Sequence, residues 1–450
     1  MNPRDLFAGE GLRARVLRGT FLSGGGFVAQ NVIRLGGNLV LTRLLFPEAF
    51  GLMALVNVIL GGLAMFSNLG LRASIIQDER GEDPVFLNTA WTVQIARGIF
   101  LWGLACMAAG PLARFYEAPM LAVLLPAAAF AMVIDGFLST NMASANRKLM
   151  LGRLTSVVIT GQVVGIVAMI VLALIFRSVW ALAVGSLVGS LVTVSLSHLW
   201  MPGIRNRPAF DRDAAWRMFS FGKWLFLSTI AGFLVNQGDR AILGKFVSLD
   251  TLAIYNIGFF LASIPILLMR HIADKVLFPL YRAKPASESS RARAQIARTR
   301  FLLTAGALSL SAVLAMAGVV TIETLYDPRY HAAGPLMVLI AVAHMPVVIA
   351  ASYGPMPLAA GDSARFAFMV VVSAVLRTTA ILLGVIWFGV AGVALAPLVA
   401  GLLLYPVQIA IIRRYGGWTP GQDLLFLLFA ALAAGLALWL NPEAVALLSR

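Results

Sequence analysis

Charge is scarce in this 450-residue chain. Asp, Glu, Lys and Arg make up 12% of it, about half the share that a soluble domain uses to coat its surface. Cysteine is nearly absent: Cys106 stands alone, which excludes an intrachain disulfide and any zinc site assembled from Cys pairs. No HExxH and no GxSxG occurs, so two common signatures of hydrolytic chemistry are missing. Gly238, Gly244 and Lys245 have five residues between the glycines and Phe246 after the lysine, the wrong frame for a phosphate-cradling loop. Acids are the rarer sign, 20 against 35 Lys and Arg, for a net charge of +15 and a pI near 10.8. What fills the chain is apolar: 60% hydrophobic residues and a mean hydropathy of +0.87. A basic pI in a soluble protein points to nucleic acid, but here the charges fall in short gaps between apolar runs, so no nucleic-acid partner is expected. The surplus apolar surface has to face lipid, and the fold class expected is an all-α polytopic membrane protein.

A bilayer-crossing helix needs about 20 mostly apolar residues. Stretches of that kind lie at 20–44, 48–70, 87–112, 119–145, 154–176, 178–201, 221–245, 252–278, 300–322, 332–354, 364–388 and 390–412, with a shorter one at 424–440. This predicts 12 to 13 transmembrane helices. The polar residues 1–19 lack a cleavage site after a short apolar core, so the first span is read as retained. Lys and Arg set the orientation. With the N-terminus in the cytoplasm, the inward gaps hold the dense groups Arg147/Lys148/Arg153, Arg205/Arg207/Arg212/Arg217/Lys223 and Arg282/Lys284/Arg291/Arg293/Arg298/Arg300. The outward gaps and tail hold Arg43, Arg114, Arg177, Lys245, Arg329 and Arg450. That bias predicts a multi-pass protein of a bacterial inner membrane with a cytoplasmic N-terminus.

The chain repeats itself. Val32–Leu55 aligns with Leu234–Ile257, placing Gly36 on Gly238, Arg43 on Lys245 and Glu48 on Asp250; Tyr116 answers to Tyr330, and Val179–Gly189 to Val390–Ala400. Six helices followed by six more make a parallel pseudo-twofold pair of lobes with a cleft at the membrane midplane, a transporter architecture. The organisation expected is a cytoplasmic segment 1–19, an N-terminal lobe 20–215, a C-terminal lobe 216–415 and an appended helix within 416–450.

Arginine at the bilayer centre costs about 2.5–3.5 kcal/mol on insertion scales, so each such residue needs a cavity or a partner. Gln30, Arg34 and Asn38 recur four apart and form one polar stripe. Asn236 and Arg240 occupy the equivalent positions of the second repeat, with Gln237 and Asp239 beside them. Arg97, Asp135, His344 and Arg377 are also deep. The excess of cations predicts a wet positive cavity able to hold a phosphate or diphosphate. Arg34, Arg97, Arg240, Arg377, Gln30, Asn38 and Asn236 are its candidate ligands. Asp135, Asp239 and His344 are candidates for a coupling ion or a charge partner. Asp135 as a neutraliser of Arg97 and His344 as a hydrogen-bonded structural histidine are the plainer readings. Arg270 and Asp274, four apart, read as an intrahelical ion pair. Gly161/Gly165 and Gly185/Gly189 read as helix-packing pairs, and Pro346, Pro355 and Pro357 as sites of bending. No metal and no cofactor is expected.

The run LTRLLFPEAFGLMALVNVILGGLAMFSNLGLRASIIQ (Leu41–Gln77), followed by LNTAWTVQIARG (Leu87–Gly98), GPLARFYEAPML (Gly110–Leu121) and NRKLMLGRL (Asn146–Leu154), resembles the bacterial polysaccharide-transporter flippases. These belong to the multidrug/oligosaccharidyl-lipid/polysaccharide (MOP) superfamily and are similar to colanic-acid and exopolysaccharide exporters. The resemblance implies a MATE-like, V-shaped pair of six-helix lobes around a cationic cavity. It implies the transfer of undecaprenyl-diphosphate-linked oligosaccharide from the inner to the outer leaflet, without an enzymatic step. The partners it implies are the lipid-linked oligosaccharide, membrane lipid, and the polymerase and glycosyltransferases of the same biosynthesis. A peptidoglycan-precursor exporter or a multidrug exporter of the same superfamily is the alternative; an O-antigen-type polymerase or ligase would need a larger outward loop than Glu323–His331.

Overall fold

The computed structural model describes residues 12–67, 71–148, 150–222 and 225–448; residues 1–11 of the expected N-terminal segment, Lys223, Trp224 and Arg450 lie outside them. Every regular element among the described residues is helical. That outcome follows from the apolar runs, because away from water a helix satisfies its own backbone. Eight helical stretches are long and apolar enough to cross a bilayer, or ten with two bent pairs included, among the described residues. The chain is therefore a multi-pass membrane protein. It divides into two compact units, Met1–Ile230 and Ala231–Arg450.

The first unit contains α1 (Leu12–Leu44), α2 (Pro47–Phe66), α3 (Leu71–Gln77), α4 (Pro84–Phe115), α5 (Leu121–Gly136), α6 (Asn141–Arg147), α7 (Leu151–Phe176), α8 (Trp180–Leu199) and α9 (Arg212–Gly222). Asp83 caps α4 by accepting from Val85 N at 3.0 Å, with Pro84 opening the helix. The expected span at 119–145 is the pair α5–α6, bent by 62°. α7 and α8 meet where their glycines face: a Cβ on Gly165 would stand 3.1 Å from Gly189 Cα, and one on Gly185 would stand 2.7 Å from Met169 N. The small residues are there so that two backbones can touch. The opposite side of α7 turns Val167, Val171, Leu174 and Ile175 outward, as a lipid-facing helix should.

α10 (Leu225–Phe246) crosses the boundary between the units. The second unit continues with α11 (Leu249–Ala262), α12 (Ile264–Ile272), a π-helical turn at Ala273–Leu277, α13 (Phe278–Ala283), α14 (Ser290–Met316), α15 (Gly318–Leu325), α16 (Ala333–Ala351), α17 (Met356–Ala359), α18 (Ser363–Ile412), α19 (Pro420–Leu440) and α20 (Pro442–Ala446). α16 is apolar on every side, and a helix of that kind belongs in the interior; its apolar window is 89% buried, with α11, α14, α18 and α19 packed on it. α18 spans two of the expected crossings. They join at Gly389, whose φ of +55° breaks the helix in a conformation that glycine adopts without a Cβ penalty. Gly384 and Gly392 then close the hairpin, a Cβ on Gly384 falling 2.7 Å from the Gly392 carbonyl.

α14 starts at Ser290, capped by Ser289, rather than near residue 300. Arg300, counted from sequence among the charges of a gap, is consequently inside the helix and fully buried. Its guanidinium donates to Ser352 Oγ at 2.7 Å and to Thr419 and Asp423, and stacks on Tyr353 at 3.6 Å. Tyr353 and Tyr405 each donate to Asp423 Oδ2 at 2.7 Å. Through this network α19 packs into the second unit.

Candidate functional site

Polar side chains at membrane depth gather in the second unit. α10 carries Asn236, Asp239 and Arg240 one turn apart or less. α11 supplies Tyr255, Asn256 and Phe259, α12 supplies Arg270, α16 His344 and α18 Arg377. Arg240 is held on two sides: Nε donates to Asn256 Oδ1 at 3.0 Å, Nη1 to Gln237 Oε1 at 2.8 Å, and the guanidinium lies 4.0 Å over Phe259. Asp239 is buried and accepts from the Tyr255 hydroxyl at 2.9 Å. Its other oxygen accepts from Arg240 N at 2.9 Å, and among the described residues this carboxylate forms no ion pair with the arginines.

Arg270 does not pair with Asp274. The π-helical turn that begins at Ala273 alters the four-residue spacing on which an intrahelical pair relies, and Asp274 is exposed. Instead, Arg270 Nη1 donates to Asn236 Oδ1 at 2.9 Å, while Asn236 donates to Gly232 O at 2.7 Å. Asn236 is neutral, so Arg270 keeps its charge. Arg377 faces it as a like charge. Arg377 is buried, 7% exposed, and its Nε has no hydrogen-bond partner. Leaving a buried cation uncompensated costs about 3–5 kcal/mol. His344 lies against the edge of Phe259 at 5.8 Å, and its Nδ1 sits 2.8 Å from Ile340 O. A carbonyl only accepts, so Nδ1 carries the proton.

In the first unit the predicted residues are dispersed. Arg34 is exposed and donates to Asn31 Oδ1 at 2.9 Å; the Gln30 carbonyl accepts from Gln162 at 2.8 Å; Asn38 is half-buried on the same helix. Arg97 donates from Nε to Ser67 Oγ and from Nη2 to Ala64 O, each at 3.0 Å. These groups close the C-terminal end of α2, where a cation meets the negative pole of the helix. No ion pair joins Arg97 to Asp135 among the described residues. Arg270, Tyr255 and Phe259 are site residues that the sequence reading did not select. Arg300, Asp423, Tyr353 and Tyr405 form a second buried polar group that it did not foresee.

The multi-helix membrane fold is the one found in solved transporters of the MOP superfamily. The fold matches the lipid II flippase MurJ in an inward closed conformation, with a TM-score of 0.67 at 10% identity over 95% of this chain and 96% of that one. It also matches an inward-facing MATE multidrug transporter, with a TM-score of 0.62 at 13% identity over 90% and 95%. The chain belongs to the family described as polysaccharide biosynthesis protein, which it matches over residues 40–335. It is 24% identical to the succinoglycan biosynthesis transport protein ExoT of Rhizobium meliloti over 358 residues, 77% of this chain and 70% of that protein. It is 22% identical to the teichuronic acid biosynthesis protein TuaB of Bacillus subtilis over 65% of this chain and 61% of that protein. The lipopolysaccharide biosynthesis protein WzxC of Escherichia coli is also 22% identical, over 67% of this chain and 61% of its own length.

Proposed function

We propose that this chain is a flippase carrying undecaprenyl-diphosphate-linked oligosaccharide repeat units of an exopolysaccharide, capsule or O-antigen across the bacterial inner membrane. The N-terminus is cytoplasmic, and the site exchanges its access between the two faces of the membrane. Family membership and the names of the relatives support the class of cargo. The observation that carries the chemistry is Arg377: a buried guanidinium with an unsatisfied Nε, repelled by Arg270, is held in readiness for an anion. Arg240, Arg270 and Arg377 against Asp239 leave two positive charges in excess, and a diphosphate diester carries two negative ones. Arg377 and Arg270 are the proposed ligands of the diphosphate. Arg240, held through Nε and Nη1 by Asn256 and Gln237, sets the field and stacks over Phe259. Arg34, exposed on α1, is a separate candidate ligand within the first unit.

The polyprenyl tail stays in lipid, so the barrier to crossing is the head group. The arginines replace its water with fixed charge. Moving two negative charges outward, down an inside-negative potential, releases about 4–5 kcal/mol per 100 mV. The reading requires no bond to be made or broken, hence no enzymatic step; glycosyltransferases supply the cargo and a polymerase consumes it. The sign of the cluster disfavours export of cationic drugs, which calls for acids.

The test is deletion of the gene followed by analysis of lipid-linked oligosaccharides in each leaflet. Accumulation of one repeat unit in the cytoplasmic leaflet is expected, and restoration by the intact gene. A deletion strain with unchanged leaflet distribution and unchanged surface polysaccharide would overturn the assignment.

A further inference from the structure

The connection preceding α10 has no part in the transport site, yet it is built rigidly. Residues 204–211 run along the start of α4 and are pinned by three of its side chains. Asn88 Oδ1 accepts from Arg207 N, Thr92 Oγ1 from Ala209 N and Thr89 Oγ1 from Asp211 N, each at 3.0 Å. Asp211 then caps α9, accepting from Ala214 N at 2.7 Å. α9 buries Ala214 and Met218 in a core with Phe86 and Leu87 and leaves Trp216 67% and Phe210 70% exposed. Both rings line a cavity of about 580 Å³ together with Val93, Ala215 and Met218, and its charged lining is Arg212 and Asp213.

Its depth follows from α4. That helix of 32 residues is about 48 Å long at 1.5 Å per residue, about 18 Å more than the hydrocarbon core. Centred in the bilayer, it projects about 9 Å on each side, which puts Val93, about 13 Å from its start, just inside the apolar boundary. The cavity therefore spans the level of head groups and first acyl carbons. Three of the four acids of the adjoining loop are paired, Asp78 with Arg217 at 4.0 Å, Glu82 with Lys148 at 3.5 Å and Asp83 with Arg80 at 2.8 Å, while Glu79 is exposed with no ion pair among the described residues. Arg205, Arg207 and Arg212 face outward with no ion pair among the described residues; Asp213 offsets one of them.

We propose that this slot seats an anionic phospholipid, its phosphate against Arg207 and Arg212 and its upper acyl chain between Phe210 and Trp216. An amphipathic element with aromatic rings on its exposed face and arginines beside them has the chemistry of an interfacial lipid site. The inference is independent of what the protein transports, because its readout is binding.

The test uses the full chain in phosphatidylcholine nanodiscs containing a minor fraction of phosphatidylglycerol brominated high on its acyl chains. The difference in tryptophan emission between the full chain and Trp216→Phe isolates Trp216. Trp216 should be quenched by brominated phosphatidylglycerol at about tenfold lower mole fraction than by brominated phosphatidylcholine. Combined Arg205→Gln, Arg207→Gln and Arg212→Gln, all exposed and outside the core, should abolish that preference while the remaining tryptophans emit unchanged. Equal quenching by the two lipids, a preference that survives the triple substitution, or a Trp216 reached by neither lipid because a protein covers it, would each overturn the proposal.

Discussion

Arg270 and Asn236 are 34 positions apart in the chain, and the guanidinium donates to the amide oxygen at 2.9 Å. The pairing ties α12 to α10 through a neutral acceptor. An arginine held by an amide stays positioned without losing its charge, which is what a site for an anion requires. Asn236→Asp keeps the size and adds a carboxylate. It should strengthen the link by about 1–2 kcal/mol, a charge-assisted bond replacing a neutral acceptor. Transport should fall at least tenfold, read as export in cells beside the thermal midpoint of the purified protein.

Arg377 gives the proposed site a stability test. Arg377→Leu removes an unsatisfied buried charge and its repulsion from Arg270, and should raise the unfolding free energy by about 1–3 kcal/mol. The same substitution should abolish export. A variant that melts higher and exports nothing supports the site; one that melts lower and exports normally contradicts it.

The Arg300–Asp423 pair should behave in the opposite way. Asp423→Ala leaves a fully buried guanidinium without its carboxylate, at a cost of about 3–5 kcal/mol. Combining it with Arg300→Met should recover most of that loss, as a double-mutant cycle on thermal unfolding would measure.

Two capping carboxylates outside the membrane set an acid sensitivity. The Arg80 side chain, then the Val85 N–H, hold Asp83 below its usual value of 3.8; the Arg365 N–H does the same for Asp362, with Tyr415 and Arg365 side chains assisting. A depressed carboxyl contributes stability that is complete above the ordinary value and is lost as pH falls through the folded one. Unfolding midpoints should therefore drop as pH falls below about 4, and less steeply in Asp83→Asn/Asp362→Asn than in the unaltered protein.

Much of the fold is legible in the sequence, because a bilayer imposes one rule on every span. The apolar runs recover the helices, and Gly161, Gly165, Gly185 and Gly189 announce the α7–α8 contact. The start of α14 is hidden, since Arg291, Arg293 and Arg298 make its first turns look like a gap. The π-helical turn at Ala273–Leu277 has no periodic signature, and it separates Arg270 from Asp274. Partners are the least legible feature. Arg97 is satisfied by the end of another helix, Ala64 O and Ser67, which no residue pattern marks. Arg300 and Asp423 did leave a trace: opposite charges at the first residue of one expected span and immediately before another, both expected to enter from the same face.

The central claim is that a cationic group around Arg377 and Arg270 receives a diphosphate head group. The most direct measurement is the leaflet distribution of lipid-linked oligosaccharide in cells whose only copy carries Arg377→Gln and Arg270→Gln, with the protein's membrane abundance checked alongside. The account predicts normal abundance with the lipid-linked oligosaccharide held in the cytoplasmic leaflet. Normal abundance with the oligosaccharide delivered to the outer leaflet as in unaltered cells would contradict it.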